Sequence, residues 1–293
     1  MDPYLSAGED GLRVQRYGSW TAKKLDYLQR YLGLFVTSMR RQPFRAKHYI
    51  DLFAGPGKCR TGVRSVALGS PLIALTARYA FDRYFFVERD AGSIHALETR
   101  CAASPDFGRV TLLHGEAGIL VHDIVGQIGA VDSEWRPDIW SSLNLAFLDP
   151  EGPKELPWSM VEALAGLNRM DLIIHYSEVG INRLRDNCVD AGGETVLDRF
   201  FGGDGWRDVY RKARGRRGVH RALMDHYKSQ LTALGYVDVQ STDEPLMRNQ
   251  AKNAPLYRLI FASKHERGND FWQAVLKRDL YGQGRLLEAA GPY

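Results

Sequence analysis

The sequence predicts an α/β fold, a mostly parallel sheet with helices on both faces and an antiparallel hairpin near the C-terminal end. Three observations predict it. Short runs rich in β-branched and aromatic residues alternate with segments of helical period from His48 to Tyr176. Strands that alternate with helices join by right-handed crossovers into a parallel sheet covered on both sides. Two late runs, Gly235 to Val239 and Tyr257 to Ser263, have no helix between them and are expected to pair antiparallel.

Residues 1–18 read as a loose arm. A helix is expected from Ser19 to about Met39, with Leu25, Leu28, Leu32 and Phe35 at three- and four-residue spacing and Ser19 or Thr21 as its cap. His48 to Phe53 is the first strand, and a long loop from Gly55 to Gly69 follows. Ser70-Pro71 has the form of an N-cap with proline at the first helical position, opening a helix from Leu72 to about Ala80. The further strands are Tyr84 to Val87, Val110 to His114, Leu145 to Leu148 and Asp171 to Tyr176. Helices are expected at Ala91 to Cys101, Ile119 to Ile128, Trp158 to Leu167 and Arg221 to Leu234. The stretch 178–222, rich in Gly, Arg and Asp, breaks the rhythm and reads as an insertion. One domain is expected over 1–293: arm and helix 1–47, core 48–177, insertion 178–222, and closing helix, hairpin and tail 223–293.

With 44% hydrophobic and 25% charged residues the composition is that of a globular protein. No apolar run is long enough to span a membrane, and Met1 to Asp10 lacks the form of a secretory signal. Cys59, Cys101 and Cys188 are odd in number and far apart, so free thiols in a reducing cytoplasm are expected, with no disulfide framework and no metal site. The net charge of +4 permits a nucleic-acid substrate without requiring one.

In an open α/β sheet, ligands bind beyond the carboxyl ends of the strands. Four strand ends here carry informative residues. The first is Asp51-Leu52-Phe53-Ala54-Gly55-Pro56-Gly57, where Gly55 and Gly57 allow positive φ and close backbone approach. The second is Glu88, a carboxylate able to accept from a ribose diol. The third leads into Glu116 and Ala117, placed to meet an adenine edge, and the fourth ends at Asp149-Pro150, facing the reacting end of a ligand. Singly, each has a plainer reading as a turn, a cap or a solvated charge; their succession in order makes the joint reading. The phosphate-binding pattern Gly-x-x-x-x-Gly-Lys-Ser/Thr is absent. A dinucleotide site expects a helix directly after its glycines, whereas Gly57 is followed by Lys58-Cys59-Arg60. Asp51 would repel a pyrophosphate but favour a cationic ammonium.

These segments resemble motifs I, II and IV of the class I S-adenosylmethionine-dependent methyltransferases, which have a Rossmann-like fold. More narrowly, residues 20–180 resemble the three-Cys-motif partner (TcmP) proteins. The shared pattern is Lys24-Leu25, Leu28 and Tyr31-Leu32 in the leading helix, Tyr49 to Gly57, Gly69-Ser70-Pro71, Phe86-Val87-Glu88, and Phe147-Leu148-Asp149-Pro150-x-Gly152. The family more often has Phe where this chain has Glu151. The resemblance implies S-adenosyl-L-methionine as cofactor, held by Asp51, Phe53, Ala54, Gly55, Gly57, Glu88, Glu116, Ala117 and Asp149. It also implies methyl transfer at Asp149 and Pro150, and a cysteine-motif partner protein.

Asp149-Pro150 is expected to accept hydrogen bonds from an amino or hydroxyl acceptor; for a hydroxyl, Lys24, Asp149, His175 or Glu178 is a candidate base. Trp158 is either a stacking ring or helix packing. Arg207, Arg211, Lys212, Arg214, Arg216, Arg217 and Arg221, with Trp206 and Tyr210, pair cations with aromatics as RNA- or DNA-binding surfaces do, so Arg214, Arg216 and Arg217 are expected to contact a polyanionic substrate. The loop 58–68, with Lys58, Arg60 and Arg64, is expected to cover the cofactor or contact substrate. The competing class is a catalytically silent module that binds the cofactor or scaffolds a partner.

Overall fold

The computed structural model describes residues 5–16, 18, 20–60, 66–133, 138–216, 218–249 and 252–277. The chain opens with β1 (Leu5–Ala7) and β2 (Arg13–Arg16), then α1 (Trp20–Met39) and β3 (Lys47–Asp51). Next come β4 (Lys58–Arg60), β5 (Val66–Leu68), α2 (Ser70–Leu75), β6 (Arg83–Glu88), α3 (Ala91–Cys101), β7 (Val110–His114) and α4 (Ala117–Asp132). β8 (Leu143–Leu148), α5 (Trp158–Ala165) and β9 (Arg169–Tyr176) complete the alternation. Four helices follow, α6 (Glu178–Cys188), α7 (Val196–Phe201), α8 (Gly205–Ala213) and α9 (Val219–Ala233), and then β10 (Leu246–Asn249), β11 (Ala254–Ala262) and α10 (Glu266–Leu276).

The main sheet has the order β10-β11-β9-β8-β3-β6-β7. Its five central and edge strands from β9 to β7 are parallel, and β11 runs antiparallel to both β9 and β10. This is the mixed, mostly parallel Rossmann-like sheet the sequence predicts. Period-two alternation assigns side chains to two cores. Ile50, Phe85, Ala146, Leu148 and Ile174 face α4, α5 and α7–α9. Tyr49, Phe86, Leu145, Phe147 and Ile173 face α1, α2 and α10. α1 lies on the second face because Leu25, Leu28, Leu32 and Phe35 form one stripe, and its Tyr31 hydroxyl donates to Asp171 Oδ2 of β9 at 2.7 Å.

Four expectations are corrected. Within the N-terminal arm, β1 and β2 join β4 and β5 in a second, four-stranded sheet. The Gly55–Gly69 loop accordingly contains two strands, and residues 61–65, Arg64 among them, lie outside the described residues. Gly69, not Ser70, caps α2, and that helix stops at Leu75. Residues 235–239 form no strand beyond a bridge from Val237 to Ser263; the hairpin partner of β11 is β10. The stretch 178–222 holds three helices, α6, α7 and α8, and the first residues of α9. In it Thr195 and Asp198 form a capping box on α7, and Gly202 ends that helix at φ +72°. Ser19, expected as a cap of α1, lies outside the described residues.

Arg100 of α3 ties the small sheet to the main one. Its guanidinium, almost without solvent contact, bonds both oxygens of Asp10 at 3.0 and 2.8 Å and donates to the carbonyls of Arg13 and Pro56 at 2.7 and 2.5 Å. The same Asp10 takes Lys58 at 2.9 Å. Arg100→Met leaves the Asp10 carboxylate and the Pro56 carbonyl short of donors, each charged hydrogen bond being worth about 1.5–3 kcal/mol. The expected result is fast amide exchange at Arg13–Arg16 with unchanged protection in β8 and β9; equal loss in both places contradicts a local clamp.

Candidate functional site

The chain runs from β3 outward to β6 and β7, then returns to β8 and β9 on the other side, so the strand order reverses between β3 and β8. Outside the carboxyl ends at that point lies a cavity of about 520 Å³, in the size range of small-ligand sites. Of the residues singled out in the sequence, Phe53, Glu88, Glu116, Ala117 and Asp149 line it. Ala54, Gly55, Gly57, Asp51 and Pro150 do not.

The turn after β3 has a clear cause. Gly55 and Gly57 hold φ of +62° and +81°, which costs glycine nothing. A Cβ on Gly57 would also stand 2.9 Å from Leu97 Cδ1. The turn is pinned by Ala54 N to Val87 O at 2.9 Å and Gly55 N to Glu88 Oε2 at 2.9 Å. Glu88 Oε1 accepts from Asp90 N at 2.7 Å. Burial raises the Glu88 carboxyl, opposed by these backbone bonds. Each oxygen keeps a second lone pair for a ligand hydroxyl. Glu116 precedes α4 without spending its side chain on a cap. Across the rim, Arg89 pairs with Glu155 at 2.8 Å.

Asp51 is fully buried behind this turn. Its Oδ1 accepts from Phe53 N at 3.2 Å, and Oδ2 meets no donor at hydrogen-bonding geometry, with the Ser70 and Tyr49 hydroxyls beside it. Burial lifts its carboxyl to about 7.

Asp149 ends β8 between the cavity and a buried polar group. Its Oδ2 is ion-paired with Lys24 of α1, and its Oδ1 bonds Nδ1 of His175 at 2.9 Å. Burial works against the carboxylate, but Lys24 and His175 hold it down at about 2. His175 is packed on Tyr257 with ring centroids 3.9 Å apart. Burial is the main cause holding its imidazole below the ordinary value, against the pull of Asp149. Lys24, Asp149 and His175, all candidate bases from the sequence, therefore form one cluster. Glu178 does not join it; it pairs with Arg258 at 2.5 Å.

Leu52, within the first motif, also lines the cavity, as do residues that the motifs did not mark: Gln15, Asp90, Ser93, Gly115, Met160 and the pair Arg89 and Glu155. Asp90 stands next to a marked position and was within reach of the strand-end argument. Gln15 arrives from β2, and no sequence signal places it there.

The basic stretch is corrected in its aromatics. Trp206 and Tyr210 are buried, and Trp206 Nε1 donates to Asp198 Oδ1 at 2.9 Å, so neither offers a face for stacking. Arg207, Arg211 and Arg214 pair with Asp198, Asp208 and Asp186 at 2.5, 3.2 and 3.4 Å. Arg216 is exposed, and Arg217 lies outside the described residues. Among the described residues, Arg207, Arg211, Arg214 and Arg216 do not line the cavity. Trp158 is core packing, edge-on to Tyr227 at 5.1 Å. The three cysteines are buried free thiols, no metal-ligand cluster exists among the described residues, and no helix among them is long and apolar enough to cross a membrane.

No family model matches the chain, and no curated protein matches its sequence. Among solved structures it aligns with a candidate O-methyltransferase from Klebsiella pneumoniae at 12% identity, over 80% of this chain and 78% of that one, with a TM-score of 0.41. Magnesium protoporphyrin IX methyltransferase from Synechocystis PCC 6803, with bound S-adenosylhomocysteine, aligns at 9% over 83% and 85%, TM-score 0.39. A candidate methyltransferase from Escherichia coli aligns at 13% over 80% and 84%, TM-score 0.34. At such scores these alignments carry no argument about activity, which rests on the site's own geometry.

Proposed function

We propose that this chain is an S-adenosylmethionine-dependent methyltransferase of the class I superfamily, related to the TcmP proteins. The observation that carries the reading is that Phe53, Glu88, Glu116 and Asp149, from four successive strand ends, line one cavity at the reversal of strand order. The residues fit the cofactor. Glu88 faces the cavity with lone pairs for a ribose diol. Glu116 and the Ala117 backbone stand where an adenine edge would lie. The Gly55–Gly57 turn admits a close backbone approach, and the buried Asp51 carboxyl supports it from below. When bound, the cofactor supplies an electrophilic methyl group on a sulfonium.

This chain's part is to hold, orient and exclude water, with Asp149 at the reacting end. An enzyme is favoured over a silent binding module by the Lys24–Asp149 pair. Burying two charges costs several kcal/mol that packing alone would not require, and they are buried beside the cavity. Asp90, Glu116, Glu151 and Glu155 outnumber Arg89 and Lys154 in the cavity wall. That balance favours a neutral or cationic acceptor over the polyanion expected from Arg214, Arg216 and Arg217.

Calorimetry with S-adenosylhomocysteine tests the reading. Binding is expected, and Glu88→Ala should weaken it by about 1–3 kcal/mol, the cost of unmade hydrogen bonds to a charged group. No binding at millimolar ligand, or preference for a nicotinamide dinucleotide, defeats it.

A further inference from the structure

We propose that a second cavity, at the amino ends of the parallel strands, binds a small nucleotide, its base among Phe44, Trp140 and Phe271, the base amino group on Asp171, and its phosphate on Arg169 and Arg267. The site goes beyond the methyltransferase reading and does not depend on it. The cavity measures about 490 Å³ and lies between the end of α1, the start of α10 and the first residues of β8 and β9. Leu143 of β8 lines it, whereas Asp149, just past the other end of that strand, lines the first cavity. At the rise of an extended chain these two residues stand about 20 Å apart. A ligand here is therefore an effector or an anchor, not the methyl acceptor.

Three features of the wall point to this ligand. The first is its rings. Trp140 is 43% exposed although the core has no need to leave it so. Phe44 meets it edge-on at 5.2 Å, and the partly buried Phe271 adds a further ring. Bases stack on such faces without regard to sequence.

The second is charge. Arg169, Lys264 and Arg267 line the cavity, against Asp171 as the acid among its lining residues. Lys264 donates to the Ala165 carbonyl at 2.5 Å. Arg169 donates through Nη1 to Ser141 Oγ at 2.7 Å and stands 5.6 Å from the Trp140 ring centroid. Arg267, in the first turn of α10, is exposed. A guanidinium fork matches the oxygens of a phosphate, and three cations in the wall disfavour a cationic amine.

The third is the floor. Asp171 of β9 is buried, and no ion pair to it exists among the described residues. Tyr31 donates to its Oδ2 at 2.7 Å. Burial lifts this carboxyl to about 6, opposed by Ser263 and Tyr31. Packing alone gives no reason to bury an acid at the bottom of a cavity, whereas an exocyclic amino group of a base donates to a carboxylate. Gly268 lets α10 come this close to the floor, since a Cβ there would stand 2.2 Å from Ser263 Oγ and 3.3 Å from Asp171 Oδ2. A ring, a donor on that ring and an anion are the three parts of a nucleoside monophosphate, and the volume lies in the range of small-ligand sites.

Calorimetry on the full chain tests this with the 5′-monophosphates of adenosine, cytidine and guanosine, whose bases carry an amino group. Saturating S-adenosylhomocysteine is present to fill the first cavity. At least one nucleotide should bind once per chain, by about tenfold or more over its nucleoside and over ribose 5-phosphate, each of which lacks one part. Trp140→Ala and Arg267→Gln should each weaken it by about ten- to a hundredfold, with denaturant midpoint and S-adenosylhomocysteine affinity unchanged. No binding by any of the three, binding that S-adenosylhomocysteine displaces, ribose 5-phosphate as tight as the nucleotides, or variants that bind like the parent overturns the proposal. A parent that fails to bind S-adenosylhomocysteine defeats the methyltransferase reading alone. Nucleotide binding that survives Glu88→Ala and falls in Trp140→Ala then still sustains the second site.

Discussion

Replacing Asp51 by asparagine stabilises the unliganded protein at pH 8 by on the order of 3 kcal/mol and lowers its stability at pH 4 by on the order of 1 kcal/mol. The reason is burial. The Asp51 carboxyl stands at about 7 in the folded chain against an ordinary value of 3.8. Between those values the folded chain keeps a proton that the unfolded chain has lost, so stability falls as pH rises from 4 to 7, and the full cost is present above 7. About three pH units at about 1.4 kcal/mol each give the upper bound; the asparagine amide, with unmet donors of its own, takes some of it back. Urea denaturation at pH 4, 6 and 8 measures the effect. A gain that does not vary with pH contradicts the account. If the proposed function holds, the wild-type carboxylate is a stability sacrificed for the site. The variant is expected to bind S-adenosylmethionine less well at pH 8 despite its higher stability.

Lys24→Met has an effect of the same size and opposite sign. Lys24 and Asp149 are both nearly without solvent, with side-chain exposures of 4% and 11%. Removing the ammonium leaves the carboxylate bonded to His175 and raises its pKa. Breaking a buried pair from one side costs about 3–5 kcal/mol. In Lys24→Met/Asp149→Asn the uncompensated charge is gone, and more than half of the loss should return. Denaturant midpoints of the two variants check this. A single variant within about 1 kcal/mol of the parent, or a double variant no better than the single, means that the pair is not the electrostatic unit described.

The central strands were legible because both faces are buried. Tyr84 to Val87 and Leu145 to Leu148 are continuous apolar runs that stop at acidic or turn residues, and they form strands where expected. The strand ends then gave Glu88, Glu116 and Asp149 by position alone. What failed shares a physical cause: tertiary pairing supplied what local pattern lacked. β1, β2, β4 and β5 are three or four residues long and exist because they hydrogen-bond each other, with Arg100 of α3 holding them down. The helices α6 to α8 went unseen within 178–222 because Gly and Asp residues such as Gly202 and Asp198, which cap α7, are also loop types. The arginines of α8 and its C-terminal end read as a nucleic-acid surface because their partners Asp198 and Asp186 lie one and two helices away. The Lys24–Asp149–His175 cluster draws on three elements, with Lys24 more than a hundred residues before the other two; the sequence offered the members as alternatives, and the fold joins them.

The most direct measurement is a structure of the chain with S-adenosylhomocysteine. The account predicts the ligand in the cavity at the ends of β3, β6, β7 and β8, with ribose hydroxyls within about 3 Å of Glu88, the adenine beside Glu116 and Ala117, and the sulfur toward Asp149. A ligand seated anywhere else, or one that leaves Glu88 bonded only to Gly55 and Asp90, would contradict it.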